Sequence, residues 1–167
     1  MSTEEHRKEA PKKVNIAIIT LSSTRTLQDD QSGQWISAQA QKEGHDIIDH
    51  RVISDNPVVI AATLNKVIED LGPQVILMNG GTGIAPKDVT IETVIPMFTK
   101  ELTAFGPMFA WLSMKEIGSA AILSRATAGV IGSTIVFCMP GSLNACKLAC
   151  SELIFPELGH LVKHVLD

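Results

Sequence analysis

The 167-residue sequence predicts an α/β protein with a mostly parallel central sheet that helices cover on both faces. Two observations carry this prediction. Short apolar runs of strand length alternate with amphipathic helical segments, and polar loops follow several of these runs where strands would end. The length fits one domain, which we expect over residues 14–167, after a flexible polar tail of residues 1–13.

Each element is predicted from the spacing of its apolar residues. A short run rich in Val and Ile favours a buried strand, and apolar residues three and four apart favour a helix. Gly44 and Gly72 would end two helices, and Pro57 would begin one. The predicted elements are strands at 14–21, 47–53, 75–78 and 134–139, a candidate strand at 120–123, and helices at 33–43, 57–71, 91–98, 105–114, 142–152 and 156–166.

The composition excludes several functional classes. Hydrophobic residues make up 45% of the chain and charged residues 19%, below the usual share of about 25%, which favours apolar surface that a subunit interface could bury. A net charge of -4 provides no basic surface for nucleic acid, and no apolar run approaches the ~18 residues of a membrane span. The tail has no apolar region of a secretory signal, and three clustered cysteines suit a reducing compartment, so we expect a cytoplasmic location.

The strongest local motif is Asn79-Gly80-Gly81-Thr82-Gly83, which follows the strand predicted at 75–78. Three glycines give a turn whose backbone can approach a ligand and offer N–H groups to an anion. Thr82 adds a hydroxyl, and Asp88 adds a carboxylate able to hold a hard cation such as Mg²⁺. The order of strand, glycine-rich turn and acid along the chain favours a phosphate site, although glycine-rich turns also connect strands to helices in ordinary structural roles.

Four polar loops would lie at one edge of a parallel sheet. They span residues 22–32, 54–56, 79–88 and 140–142, and each follows a predicted strand. The carboxyl ends of parallel strands share an edge, and open α/β sheets bind ligands there. Four such loops together indicate a binding site more strongly than the glycine-rich loop alone.

From residue 14 onward the chain resembles the MoaB/MogA group of molybdenum cofactor biosynthesis proteins. The most specific segments are Asn79–Gly83 with Asp88, Thr90 and Glu92, then Phe105-Gly106, Ser124-Arg125-Ala126, Met139-Pro140-Gly141-Ser142, and Asp29-Asp30-Gln31-Ser32-Gly33, which is similar to the MoaB branch. The resemblance implies a three-layer α/β/α sandwich that forms a homotrimer or homohexamer. It also implies a molybdopterin adenylyltransferase, which moves AMP from Mg·ATP to the terminal phosphate of molybdopterin and releases pyrophosphate. A downstream metal-insertion protein is a further implied partner.

The resemblance also implies roles for individual residues. Asp55 and Asp88 match the family's two functional aspartates and would act in catalysis by holding Mg²⁺. The implied nucleotide-binding residues are Gly80, Gly81, Thr82, Gly83, Pro140 and Gly141, and the implied pterin-binding residues are Ser22, Ser23 and Ser142. The chain departs from the common family pattern at 22–25, where Ser-Asp is frequent, and at 143–145, where Pro-Lys-Ala is common. The second departure would remove one basic contact to the pterin.

Several of these residues also have a structural interpretation. Asp55, Asp88 and Ser142 could each cap the helix that follows, and Thr90 could replace Asp88 in that role. Arg125 could bind a phosphate or pair with an acid, and the sequence favours neither.

Two pairs, Cys146 with Cys150 and His160 with His164, share helix faces. Buried cysteines and surface histidines are favoured over a zinc site there. Trp35 and Trp111 are predicted to pack rather than to stack on a pterin.

Two alternative functions remain beside the enzyme. The first is a non-catalytic molybdopterin-binding homologue that acts as a carrier or assembly subunit, and the second is a flavodoxin-like regulatory domain. The presence of both Asp55 and Asp88 favours the enzyme, because a binding protein does not need two acids beside a phosphate loop.

Overall fold

The computed structural model describes residues 10–167, so the first nine residues of the predicted tail lie outside the described part. Within that part the strands are β1 (Asn15–Leu21), β2 (Asp46–Ile53), β3 (Val75–Asn79), β4 (Lys100–Glu101), β5 (Thr127–Ile131) and β6 (Thr134–Met139). The α-helices are α1 (Gln31–Lys42), α2 (Pro57–Leu71), α3 (Thr90–Val94), α4 (Phe105–Ile117), α5 (Leu143–Ala149) and α6 (Leu158–Leu166).

All six strands form one sheet in the order β2-β1-β3-β6-β5-β4. The pairs β2–β1, β1–β3 and β3–β6 are parallel, whereas β5 runs antiparallel to β6 and β4 runs antiparallel to β5. The predicted mostly parallel sheet is therefore confirmed. Asn79, at the carboxyl end of the central strand β3, lies between Thr20 and Met139 of its two neighbours.

Helices cover both faces of the sheet, which confirms the three-layer arrangement. On one face α1, α4, α5 and α6 pack on alternate residues of the strands, such as Ile16 and Ile18 of β1. On the other face α2 and α3 pack on the intervening residues, such as Ala17 and Ile19. Burial on both faces explains why β1, β3 and β6 are nearly continuous apolar runs without alternation. Each fully buried Ile side chain stabilises the fold by about 1.5–3 kcal/mol.

The candidate strand at 120–123 is wrong. Residues Gly118–Leu123 form a 3₁₀ helix on the surface, and the Ile122 side chain is 87% exposed. The sequence did not reveal β5, which supplies the strand beside β6. Gly129 within β5 leaves room for the ring of Phe98, since a Cβ there would lie 2.4 Å from that ring. A glycine lowers strand propensity and so masked the element.

Two predicted helices are shorter than expected. The helix predicted at 91–98 ends at Val94 and continues as a 3₁₀ turn over Ile95–Met97. The helix predicted at 142–152 gives way to a π turn over Cys150–Ile154. Among residues 10–167, none of the helices combines the length and the apolar character that crossing a membrane requires.

Candidate functional site

The four loops predicted at the strand carboxyl ends meet around one cavity of about 360 Å³, which we call the main cavity. We call this edge of the sheet the loop edge. Each of the four loops contributes to the wall of the main cavity, because the parallel strands that precede them end side by side. The lining residues are Leu21, Ser22, Ser23, Thr24, Arg25, Asp55, Gly80, Gly81, Lys87, Asp88 and Gly141.

Asp55 is held at the cavity by the first loop. Its Oδ2 accepts hydrogen bonds from both the amide and the hydroxyl of Ser23, each at 3.1 Å. The helix cap is a different residue, because Asn56 Oδ1 accepts the N–H of Val58 at 2.9 Å. The capping interpretation of Asp55 is therefore wrong. Its carboxylate joins two loops at the cavity and can present Oδ1 to a ligand.

Asp88 closes the turn that precedes α3. Its Oδ2 accepts the N–H of Ala85 at 3.0 Å, and its own N–H donates to the Ala85 carbonyl at 2.8 Å. Thr90 does not cap α3 either, because its hydroxyl donates to the Gly80 carbonyl at 2.9 Å. The residue at the cap position is Val89, which provides no side-chain hydrogen bond. Both capping interpretations are wrong, so Asp88 is positioned by its own turn and faces the main cavity.

The glycine-rich loop requires glycine at two positions. Gly80 and Gly81 have φ values of +101° and +65°, where a side chain is strained. The N–H of Gly80 donates to the Met139 carbonyl at 3.0 Å, so this amide is paired within the fold, and a contact between Gly80 and the nucleotide stays a prediction. Thr82 is buried and does not line the main cavity, and neither does Gly83. Of the four residues 80–83 predicted to bind the nucleotide, Gly80 and Gly81 line the main cavity.

Ser142 lies on a second cavity of about 200 Å³. Its Oγ accepts the N–H of Ala145 at 3.3 Å, which confirms that it caps α5. Pro140 also lines this second cavity, whereas the intervening Gly141 lines the main one. The second cavity is lined by Phe109, Ser113, Glu116, Ile117, Ala120, Leu123, Ser124, Pro140, Ser142, Asn144, Ala145 and Leu148. The predicted pterin residues are thus divided, because Ser22 and Ser23 line the main cavity.

Two positively charged side chains at the main cavity were not predicted from the sequence. Arg25 and Lys87 line it together with the two aspartates. The only available signal was a basic residue in each of two candidate loops. Arg125, which was a phosphate candidate, pairs with the Glu92 carboxylate, and its Nη1 donates to the Gly83 carbonyl at 2.8 Å. The hydrogen bond from Arg125 lowers the pKa of Glu92.

The cysteine prediction is confirmed. Cys138, Cys146 and Cys150 are buried and unbridged, and burial raises the pKa of the Cys138 and Cys146 thiols to about 12. Across residues 10–167, no cluster of three His, Cys, Asp or Glu side chains could hold a metal ion.

The two tryptophans differ in how far they are buried. Trp35 packs against the core, as predicted. The side chain of Trp111 is 59% exposed, so its predicted packing is wrong within this chain. The ammonium of Lys115 lies 3.3 Å from the centre of the Trp111 ring.

Residues 17–160 match the MoCF_biosynth family, described as a probable molybdopterin binding domain. The chain is 46% identical over 166 residues to molybdenum cofactor biosynthesis protein B of Bacillus subtilis (strain 168), which covers 99% of this chain and 98% of that protein. It is 40% identical over 143 residues to the protein of the same name from Escherichia coli (strain K12), covering 86% and 84% of the two chains.

Solved structures show the same similarity. A crystal structure of molybdenum cofactor biosynthesis protein B has a TM-score of 0.91 at 41% identity and covers 95% of this chain and 99% of that one. The tungsten cofactor synthesizing protein MoaB from Pyrococcus furiosus has a TM-score of 0.84 at 36% identity, with coverage of 95% and 100%. A MogA structure at 23% identity, with a TM-score of 0.77, shares the fold.

Proposed function

The chain belongs to the MoCF_biosynth family, and from this premise we propose that it is a molybdopterin adenylyltransferase. The similarity to proteins named for molybdenum cofactor biosynthesis supports a role in that pathway. The reaction moves AMP from Mg·ATP to the terminal phosphate of molybdopterin. A phosphate oxygen of the pterin bonds to the α-phosphorus, the bond from that phosphorus to the β-phosphate oxygen breaks, and pyrophosphate leaves.

The observation that carries the proposal is the position of Asp55 and Asp88 on one cavity beside the glycine-rich loop. Neither carboxylate caps a helix. Both carboxylates place negative charge beside the proposed anion site, and two acids there repel an anionic ligand unless a cation lies between them and the ligand. Mg²⁺ is commonly held by one or two carboxylates together with substrate phosphates, so this donor set fits it.

The residues of the main cavity would act by positioning and charge. Because the nucleophile is a phosphate oxygen, the reaction needs no general base. Arg25 and Lys87 supply positive charge near the triphosphate, and the amide of Gly81 can donate to a phosphate oxygen. Asp55 and Asp88 would hold Mg²⁺, which when bound offsets the repulsion between the two anionic substrates.

Ser142 on the second cavity is the proposed contact of the pterin phosphate. Its Oγ accepts one hydrogen bond within α5, so its hydroxyl hydrogen remains able to donate to a ligand. Gly141 lines the main cavity and Pro140 the second one, so a single short loop borders both sites. In this arrangement Ser22 and Ser23 would contact the pterin from the main cavity.

The decisive experiment incubates the protein with molybdopterin and Mg·ATP. We expect adenylylated pterin and pyrophosphate in equal amounts, and neither product when molybdopterin or Mg²⁺ is omitted. Binding of molybdopterin without any pyrophosphate would reject the enzyme and support the carrier or assembly subunit. Pyrophosphate release that does not depend on molybdopterin would reject both.

We also propose that the chain assembles into a trimer or hexamer through the exposed side of α4. Met108, Trp111, Met114 and Ile117 are each more than half exposed, and the four are spaced three residues apart. Large apolar side chains grouped on one helix favour burial in a subunit interface. Light scattering at micromolar concentration should give three or six times the chain mass, whereas a mass near 18.0 kDa would reject this proposal.

A further inference from the structure

A buried group of polar side chains next to the loop edge has no part in the chemistry proposed above. Asp30 Oδ2 accepts hydrogen bonds from the Thr20 hydroxyl at 2.6 Å and from His50 Nε2 at 2.9 Å. Asp30 Oδ1 accepts the N–H of Gly33 at 3.0 Å, which caps α1. The Thr20 hydroxyl in turn accepts from Asn79 Nδ2 at 2.8 Å. We call this group the Asp30 cluster.

The charge of Asp30 sets the direction of these bonds. The side chain is fully buried, and burial alone would raise its pKa, but the hydrogen bonds from His50, Thr20 and Gly33 outweigh that effect and lower the pKa. An ionised carboxylate accepts hydrogen bonds and cannot donate them. The Thr20 hydroxyl must therefore donate to Asp30, which leaves its lone pairs to accept from the Asn79 amide.

Asn79 depends on this bond for its orientation. It is the last residue of β3 and directly precedes Gly80 of the main cavity. Its Oδ1 is buried and has no hydrogen-bond partner among residues 10–167. The Thr20 hydroxyl is thus the group that determines how the Asn79 amide is turned, and through it Asp30 acts on the start of the glycine-rich loop.

A second connection runs from the same cluster through α1. Ser32, in the first turn of the helix that Asp30 caps, donates its hydroxyl to the Gly141 carbonyl at 2.9 Å. Gly141 is packed against Gly80, since a Cβ on Gly141 would lie 3.0 Å from the Gly80 Cα. Both connections therefore end at adjoining glycines in the wall of the main cavity.

The cluster also accounts for Gly33. A Cβ at this position would lie 2.1 Å from Asp30 Oδ2 and 2.4 Å from His50 Nε2, so no side chain fits. The segment Asp30-Gln31-Ser32-Gly33 thus contains a charged cap, a hydroxyl that reaches Gly141 and a glycine that leaves room for the cluster.

We propose that Asp30 is a positioning residue of the main cavity, holding Asn79 and Gly80 through Thr20, and Gly141 through Ser32. This keeps the loop amides oriented before an anionic ligand arrives. The inference rests on the proposed function only for the identity of that ligand, a nucleoside triphosphate with its Mg²⁺.

Thr20→Val tests the connection to Asn79, because it removes the hydroxyl and keeps the shape of the side chain. Thr134→Val is a matched control at the opposite end of the parallel strands, where a buried hydroxyl donates to the Pro73 carbonyl at 2.7 Å. Hydrogen exchange is measured by mass spectrometry on peptides covering residues 79–88. We expect about fivefold faster exchange in Thr20→Val, the size of one lost hydrogen bond, and no change there in Thr134→Val. Equal exchange in the two variants would overturn the proposal and leave the cluster as a stabilising feature only.

Asp30→Asn tests the role of the charge. An asparagine can still cap α1, but its NH₂ group would donate to Thr20, which frees the Thr20 hydroxyl to donate to Asn79 Oδ1. With Mg·ATP as the varied substrate, we expect KM to rise about fivefold and kcat to stay within about twofold. A fall in kcat at unchanged KM would overturn the positioning role.

The exchange measurement needs no substrate, so it decides the proposal even if wild-type protein transfers no AMP. It also decides the proposal if Asp30→Asn does not fold.

Discussion

The two ends of the parallel strands use their polar side chains differently. At the loop edge, polar side chains from different loops and strands bond to one another, Thr20 with Asp30 and Asn79, and Ser23 with Asp55. Among these bonded residues, Ser23 and Asp55 line the main cavity.

At the amino ends, two polar side chains bond to the backbone of a neighbouring segment. Thr134 donates to the Pro73 carbonyl, and Gln74 Oε1 accepts the N–H of Asn15 at 2.9 Å. His45, just before β2, is buried, and its Nδ1 has no hydrogen-bond partner among residues 10–167.

This difference separates function from stability along each strand. The bonds at the amino ends join neighbouring segments of the sheet and stabilise it, whereas the side-chain bonds at the loop edge hold the loops around the main cavity in a fixed relation. We therefore expect changes at the loop edge to alter ligand binding and turnover more than melting temperature. Changes at the amino ends should do the opposite.

Asp88→Asn should give the largest effect. Asparagine is nearly isosteric and can still accept the N–H of Ala85, but it is a weak ligand for Mg²⁺. We expect adenylyl transfer to fall by at least ~100-fold, comparable to the loss of one strong electrostatic contact at an active site. Pyrophosphate release measures the rate, and thermal melting checks the fold.

Asp70→Asn is the matched control, because it makes the same charge change on the exposed surface of α2. It should keep wild-type turnover. If Asp88→Asn also keeps wild-type turnover, the metal-site assignment is wrong. If instead its melting temperature collapses, the loop edge is structural at this position and the comparison of the two ends fails there.

Asp55→Asn should lower turnover about as much as Asp88→Asn, with the double variant little worse than either single one. Two ligands of one metal act as a unit, so their losses do not add. Additive losses in the logarithm of the rate would show that the two carboxylates act separately. Pterin binding should persist in all three variants, because Ser142 is untouched.

Ser142→Asp should have a smaller and more selective effect. The new carboxylate would face the pterin phosphate, and like charges about 4 Å apart cost about 1 kcal/mol in a watery environment, which applies because Ser142 is exposed. We expect pterin affinity to fall about fivefold at constant Mg·ATP affinity. Fluorescence quenching measures the pterin and calorimetry the nucleotide. An equal loss of both ligands would place Ser142 in a shared or structural role.

The loop edge was predictable from the sequence because its strongest signals are local. The segment 79–83, Asp88 and the strand before them are contiguous, and parallel pairing then brings the other loops to the same place. The capping interpretation of Asp55 failed because its neighbour Asn56 caps α2 instead. A sequence pattern alone does not decide between adjacent polar residues.

The Asp30 cluster was not predictable, because its partners are far apart along the chain. Thr20 and Asn79 are 59 residues apart, and His50 lies 20 residues from Asp30. Strand β5 was not predicted for a different reason. Its Gly129 is required by a contact with Phe98 that only the folded chain shows. Long-range contacts of this kind leave no periodic pattern in the sequence.

His45 gives the smallest predicted effect and tests the amino ends directly. Burial lowers its pKa, against a weaker opposing influence from the nearby carboxylate of Glu43. The unfolded chain therefore takes up a proton more readily than the folded one. The stability that His45 contributes is complete above about pH 6.5, the ordinary pKa of histidine, and is lost as the pH falls toward the lowered folded value.

His45→Phe removes the titrating group and its unpaired Nδ1, and keeps a ring beside Phe155, whose centre lies 6.2 Å from that of His45. We expect this variant to be at least as stable as wild type at pH 7.5 and to lose less stability than wild type between pH 7.5 and 5.5. Urea titrations at both pH values measure the difference. Turnover at pH 7.5 should not change, because His45 lies at the end of the strands away from the main cavity. An unchanged pH dependence of stability would mean that another group titrates, and reduced turnover would show that the two ends of the strands are coupled after all.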